Sequence, residues 1–168
     1  GGGRPARATQ YGPARIFELG TDHERADLTI GQDGADLVVR LRRPGSDDSG
    51  TPPLRIAGAF ARGDGADVAI EVAIAGNTTR VTAGDVRAEL AGEGVPFDAW
   101  DDDATLILGD SPVGGRAWLG RITGARVTVD AEPVDLLAPG GLVRDDAAVR
   151  WPRRLRDLLA WRFAPPLV

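Results

Sequence analysis

Apolar side chains recur with a period of two along most of this chain, and that repeat limits what it can fold into. Val68, Ile70, Val72 and Ile74 form one apolar row, with Ala69, Glu71 and Ala73 between them. Leu37, Val39 and Leu41 alternate with Val38, Arg40 and Arg42, and Phe17 and Leu19 alternate with Ile16 and Glu18. Leu106 and Leu108 repeat the pattern, as do Ala125, Val127 and Val129 against Arg126 and Thr128. A strand points successive side chains to opposite faces, so each segment has one buried face and one wetter face. Antiparallel sheets stacked on each other read this way, whereas a parallel α/β sheet would show continuous apolar runs. Ala75-Gly76-Asn77 and Ala83-Gly84-Asp85 supply tight turns between strands. Pro44 to Pro53 reads as a polar, mobile loop tip, and Gly1 to Pro13 lacks periodicity and reads as a linker.

Composition sets the class. With 168 residues, 42% of them apolar and 27% charged, the chain suits one folded domain rather than a disordered segment. Its 23 glycines and 12 prolines fit many short strands joined by turns. The net charge of −5 leaves no basic excess to displace counterions from phosphates, which argues against nucleic acid as a partner. Cysteine is absent, so disulfides, thiolate zinc sites and a cysteine nucleophile are excluded. Every basic residue is arginine, and with abundant Ala, Gly, Asp and Val this reads as the codon bias of a GC-rich, bacterial genome. Met is absent as well, and the Gly1-Gly2-Gly3 start reads as that of a piece excised from a larger chain. No run approaches the length needed to span a bilayer.

The tail has a different period. Trp151, Leu155, Leu158, Leu159 and Arg162 fall near one helical stripe, with Arg153, Arg154 and Arg156 away from it. Pro152 suits a first helical turn, so a short amphipathic helix is expected over Trp151–Phe163, separated from the strands by Gly140-Gly141. Such a helix either packs its apolar stripe on the strands or lies on an anionic membrane with Trp151, Leu155, Leu158 and Trp161 inserted.

RIFELG, then LTIGQDGADLVVRLR, then DVAIEVAIAGNTTRVTAGD, then TLILGD and WLGRI follow one another between Pro13 and Val134. Their order resembles a laminin-G-like domain of the concanavalin A-like lectin/glucanase type. The Trp-His-His common in that family is replaced here by Arg62 to Asp67, and Thr79 to Thr82 lack the family's next aromatic residue. The chain is therefore similar to a divergent member. The resemblance implies an all-β fold: a jelly-roll β-sandwich of two antiparallel sheets over residues 14–138. Residues 1–13 would be linker, and 139–168 a second linker with the C-terminal amphipathic helix. Some bacterial members adjoin membrane segments in VanZ-like proteins, which implies an extracytoplasmic, cell-surface or periplasmic module tethered through its parent chain.

Trp100-Asp101-Asp102-Asp103 is the sharpest polar cluster. Carboxylates in a loop offer hard oxygen ligands to calcium, with Asp101 and Asp103 as the metal-ligating pair, and a neighbouring Trp can stack on a sugar ring. The alternative is a solvated acidic turn, since adjacent residues cannot all point at one ion. Trp118 reads as a core aromatic, and His23 as a lone surface histidine without a nucleophile beside it. Jelly-roll glycosidases carry Glu-x-Asp-x-Glu along one strand, holding nucleophile and acid/base on one face. None of Glu18, Glu24, Glu71, Glu89, Glu93 or Glu132 has that pattern. Arg62-Gly63-Asp64 and Asn77-Thr78-Thr79 match short recognition motifs by chance in such a composition. The expectation is a non-catalytic binding module that recognises a glycan or protein through edge loops including Trp100 to Asp103. The alternatives are a ligand-free spacer of a membrane protein with a membrane-proximal helix, and a divergent carbohydrate-active enzyme.

Overall fold

Alternation becomes strand wherever a second strand can accept its backbone. The computed structural model describes residues 2–5, 10–22, 25–61, 66–129, 131–138 and 160–163. In chain order the strands are β1 (Gly2–Pro5), β2 (Gln10–Gly20), β3 (Ala26–Gly34), β4 (Asp36–Leu41), β5 (Leu54–Ile56), β6 (Val68–Ala75) and β7 (Thr78–Ala83). They continue as β8 (Val86–Ala91), β9 (Thr105–Leu108), β10 (Gly120–Gly124), β11 (Arg126–Val129), β12 (Glu132–Asp135) and β13 (Ala160–Phe163). One turn of 3-10 helix, Pro96–Ala99, precedes β9.

β5-β4-β3-β2-β9 form a five-stranded antiparallel sheet. The second sheet has eight strands and centres on β6, which pairs with β7 and through it with β8. β1 pairs with the first residues of β6 and with β10, while β13 pairs with the last residues of β6 and with β11, which carries β12. Every pairing among these strands is antiparallel, as the alternation requires.

The inward rows of both sheets meet in one core, giving a sandwich-like molecule. Phe17, Leu19, Leu28, Ile30, Leu37, Val39 and Leu41 come from one sheet, and Val68, Ile70, Val72, Ile74 and Val81 from the other. Each large apolar side chain moved from water contributes about 1.5–3 kcal/mol, and this burial is the main term holding the sheets together. Trp118 joins the core, its Nε1 donating to the buried Gln32 Oε1 at 2.8 Å. The two hairpin turns also form where the residues indicate. Ala75 faces Thr78 and Ala83 faces Val86 across two-residue loops, with positive φ at Gly76 (56°) and Gly84 (57°).

Two expectations are corrected. The stretch Gly1 to Pro13, read as linker, contains β1 and the start of β2. Its polarity hid a backbone that fills the open edges of β6 and β10, where unpaired N–H and C=O groups otherwise remain. The helix expected over Trp151–Phe163 gives way at its end to a strand, since Ala160–Phe163 is β13, held between β6 and β11. Ala160–Phe163 finds a partner strand on each edge, so tertiary pairing overrides the local period there. Residues 151–159 and Gly140-Gly141 lie outside the described residues. The Pro44–Pro53 tip makes hydrogen bonds within itself and to Arg43. Asp47 Oδ1 accepts from the N–H groups of Ser49 (3.0 Å) and Thr51 (2.7 Å), and the Ser46 hydroxyl donates to Arg43 O at 3.0 Å.

Candidate functional site

Three loops converge at the end of the five-stranded sheet where β3 begins and β4 stops. They are the β2–β3 connection, the Arg42–Pro53 segment after β4, and the Phe97–Ala104 segment before β9. The Ala26 N–H donates to Asp48 O at 3.1 Å, which joins the first loop to the second. Trp100 joins the second to the third. Its ring is 7% exposed, meets Phe97 edge-on at 4.9 Å, and donates from Nε1 to Arg42 O at 3.0 Å. Trp100 is thus a core residue that fastens the loop, and its face is not offered to a ligand.

Asp101 is the hub. Arg25 donates to it through Nε (2.6 Å) and Nη2 (3.0 Å), and Arg42 Nη2 stands 2.8 Å from its Oδ2. The Asp101 N–H in turn donates to Asp27 Oδ2 at 3.1 Å, while Arg42 Nε donates to Asp27 Oδ1 at 3.0 Å. Two arginines and two aspartates therefore alternate in one network running inward from the surface. Burial pushes the Asp27 carboxyl up to about 6, against the opposing hydrogen bond and charge of Arg42. At Asp101 burial also acts upward, but the hydrogen bond from Arg25 and the charges of Arg42 and Arg25 outweigh it and hold the carboxyl below its ordinary value. The hydrogen bond to Asp101 holds Arg25 above the usual guanidinium range.

The calcium expectation meets a difficulty in this geometry. Both Asp101 oxygens already accept from guanidinium groups, so a cation would have to displace two arginines. Among the described residues no three acidic or histidine side chains gather at metal-holding spacing. Asp101, held by two arginines, does not fit the calcium role expected of it with Asp103. Asp102 is half-buried and Asp103 exposed on the same loop, and Asp48 is exposed on the loop after β4. His23 and Arg62-Gly63-Asp64 lie outside the described residues. Asn77 sits in its hairpin and donates from Nδ2 to Gly92 O at 3.0 Å.

Sequence reading missed Asp27, Arg25 and Arg42, and with them a second layer of charge. The outward row of the five-stranded sheet was expected to be the wetter one. Yet Glu18 is 0% exposed, and Thr29, Val38 and Arg42 are buried there too. Thr29 Oγ1 donates to Glu18 Oε2 at 3.0 Å, Arg15 forms an ion pair with the same oxygen, and Arg55 Nη2 meets Asp33 Oδ2 at 2.7 Å. A signal existed: the outward positions of β2, β3 and β4 carry Glu18, Asp27 and Arg40, and Arg42 follows β4 in the same alternation, so charges of both signs lie along that face. Compared with family models, with curated proteins and with solved structures, the chain matches none.

Proposed function

We infer that this chain is a laminin-G-like, concanavalin A-type module that binds a glycan or a protein without catalysing a reaction. We place it outside the cytoplasm as part of a larger bacterial protein. The observation that supports this reading is the locked loop end. The Arg25–Asp101–Arg42–Asp27 network and the Trp100 hydrogen bond fix three loops relative to one another. A surface held rigid before contact loses little conformational entropy on binding, which favours recognition. Asp102, Asp103 and Asp48 are then the groups presented to a partner, with Trp100 and Asp101 positioning them. The second reading, a ligand-free spacer, is favoured by the same inward commitment of Trp100 and Asp101.

The test is binding to a panel of immobilised glycans together with thermal melts, with and without millimolar calcium and with a chelator control. A ligand of the folded state raises the melting midpoint by mass action. The expected outcome is a glycan or protein partner whose affinity falls about a hundredfold in Asp102→Ala/Asp103→Ala, with an unchanged melting temperature, since each charged hydrogen bond contributes about 1.5–3 kcal/mol. Trp100→Ala is unsuited to this test because it opens a core cavity. Indifference of every probe to the double variant would support the spacer.

A further inference from the structure

The outer face of the five-stranded sheet contains arginine donors that nothing in the fold satisfies. A bulge between Arg15 and Phe17 shifts the β2–β3 register, so Arg15 and Glu18 share one face although they are three residues apart. Two rows then cross the sheet on that face. Glu18 stands opposite Thr29 and Thr29 opposite Arg40, while Arg15 stands opposite Gly31, Gly31 opposite Val38 and Val38 opposite Arg55. Gly31 brings no side chain to the second row, and the backbone of Ala14 lies so close that a Cβ there would be 2.6 Å from Ala14 O. Arg15 is 4% exposed. Its Nη1 and the Nε of Arg40 are buried without a hydrogen-bond acceptor. Arg40 and Arg116 lie near enough to add to the lowering of the Arg15 pKa that its burial causes, with Glu18 acting against them.

Buried donors without acceptors are rare in folded proteins, and each costs about 1–3 kcal/mol, more when charged. We propose that this face is an anion site in which Arg15 and Arg40 grip the carboxylate of a small organic acid, separate from the loop end. Charge favours a single negative group. Among the described residues around Arg15 and Arg40, the arginines Arg15, Arg40, Arg55 and Arg116 neighbour the carboxylates Glu18, Asp33 and Asp36, four positive against three negative. Geometry favours a carboxylate over a spherical ion, because two acceptor oxygens answer two donors on different guanidiniums, and planar forks match planar carboxylates.

The experiment follows the arginine Nε–Hε signals of the whole chain by NMR during separate titrations with sodium acetate, sodium glucuronate and sodium chloride. The expected result is a saturable shift of the Arg15 and Arg40 signals with acetate and glucuronate, at lower concentration than with chloride. Tighter glucuronate than acetate identifies a sugar acid, and equal affinity identifies the carboxylate alone. Arg40→Gln weakens acetate binding about tenfold, the loss of one charged hydrogen bond. Arg40→Lys keeps the charge without the fork and falls between Arg40→Gln and the parent, so the site can still be judged if Gln disturbs the sheet. Asp102→Ala/Asp103→Ala leaves acetate binding unchanged, which separates this site from the loop end. Non-saturating shifts, chloride binding as tightly as acetate, or an Arg40→Gln variant that binds normally would each overturn the proposal.

Discussion

Asp27 is 1% exposed, between the Arg42 guanidinium and the backbone N–H of Asp101. Its carboxyl is pushed up to about 6, against about 3.9 in an unfolded chain. Between those values the native state holds the proton more tightly than the unfolded state does. Stability from this group therefore rises as pH falls from about 6 to about 4, and the gain is gone above the folded value. Asp101 runs the other way. Its folded carboxyl is depressed, so its contribution is present above the ordinary carboxylate range and lost as pH falls through the depressed value. Urea unfolding at a series of pH values between about 4 and about 6 checks the balance. Asp27→Asn should flatten the slope in that window, and an identical slope in parent and variant would refute the assignment. Charges of both signs on the outward positions were legible in the sequence, but the pairing of Asp27 with Arg42 was not, because only the alignment of β3 with the end of β4 brings them together.

At the scale of the element, the hairpins β6–β7 and β7–β8 were the most legible part of the chain. Four apolar residues at alternate positions and a Gly in the following turn state both face and direction, and the ladder pairs Ala75 with Thr78 as that pattern requires. Gly76 takes φ of 56°, and a Cβ at this position would meet nothing within 4 Å. Gly76→Ala should therefore cost about 1 kcal/mol from backbone strain alone. Ile74→Ala, on the inward face at 1% exposure, should cost about 2–5 kcal/mol by leaving a cavity. Denaturant midpoints of the two variants measure both terms. A Gly76→Ala cost as large as that of Ile74→Ala would mean that the turn, rather than the core row, sets the stability of the hairpin. β1 and β13 were illegible for another reason: Gly2–Pro5 carries no apolar alternation, and Ala160–Phe163 falls inside a helical stripe.

For the molecule as a whole, the pairing of β13 turns the tail into part of the eight-stranded sheet. Removing residues 139–168 opens an edge on both β6 and β11. The expected loss is on the order of 3 kcal/mol, from a few ladder hydrogen bonds at about 1 kcal/mol each, together with self-association through the exposed edges. Thermal melts and size-exclusion chromatography of the truncated chain measure both. An unchanged melting temperature with monomeric elution would show that the tail contributes nothing to the sheet. Period-two alternation and turn glycines, which act between near neighbours, were enough by themselves to determine an antiparallel all-β chain and the inward rows of its core. Tertiary structure alone decided which charges meet, where Trp100 points and what the tail becomes. Those outcomes rest on contacts between residues as far apart as Asp27 and Asp101, or Ile74 and Trp161, and no local pattern encodes such a register.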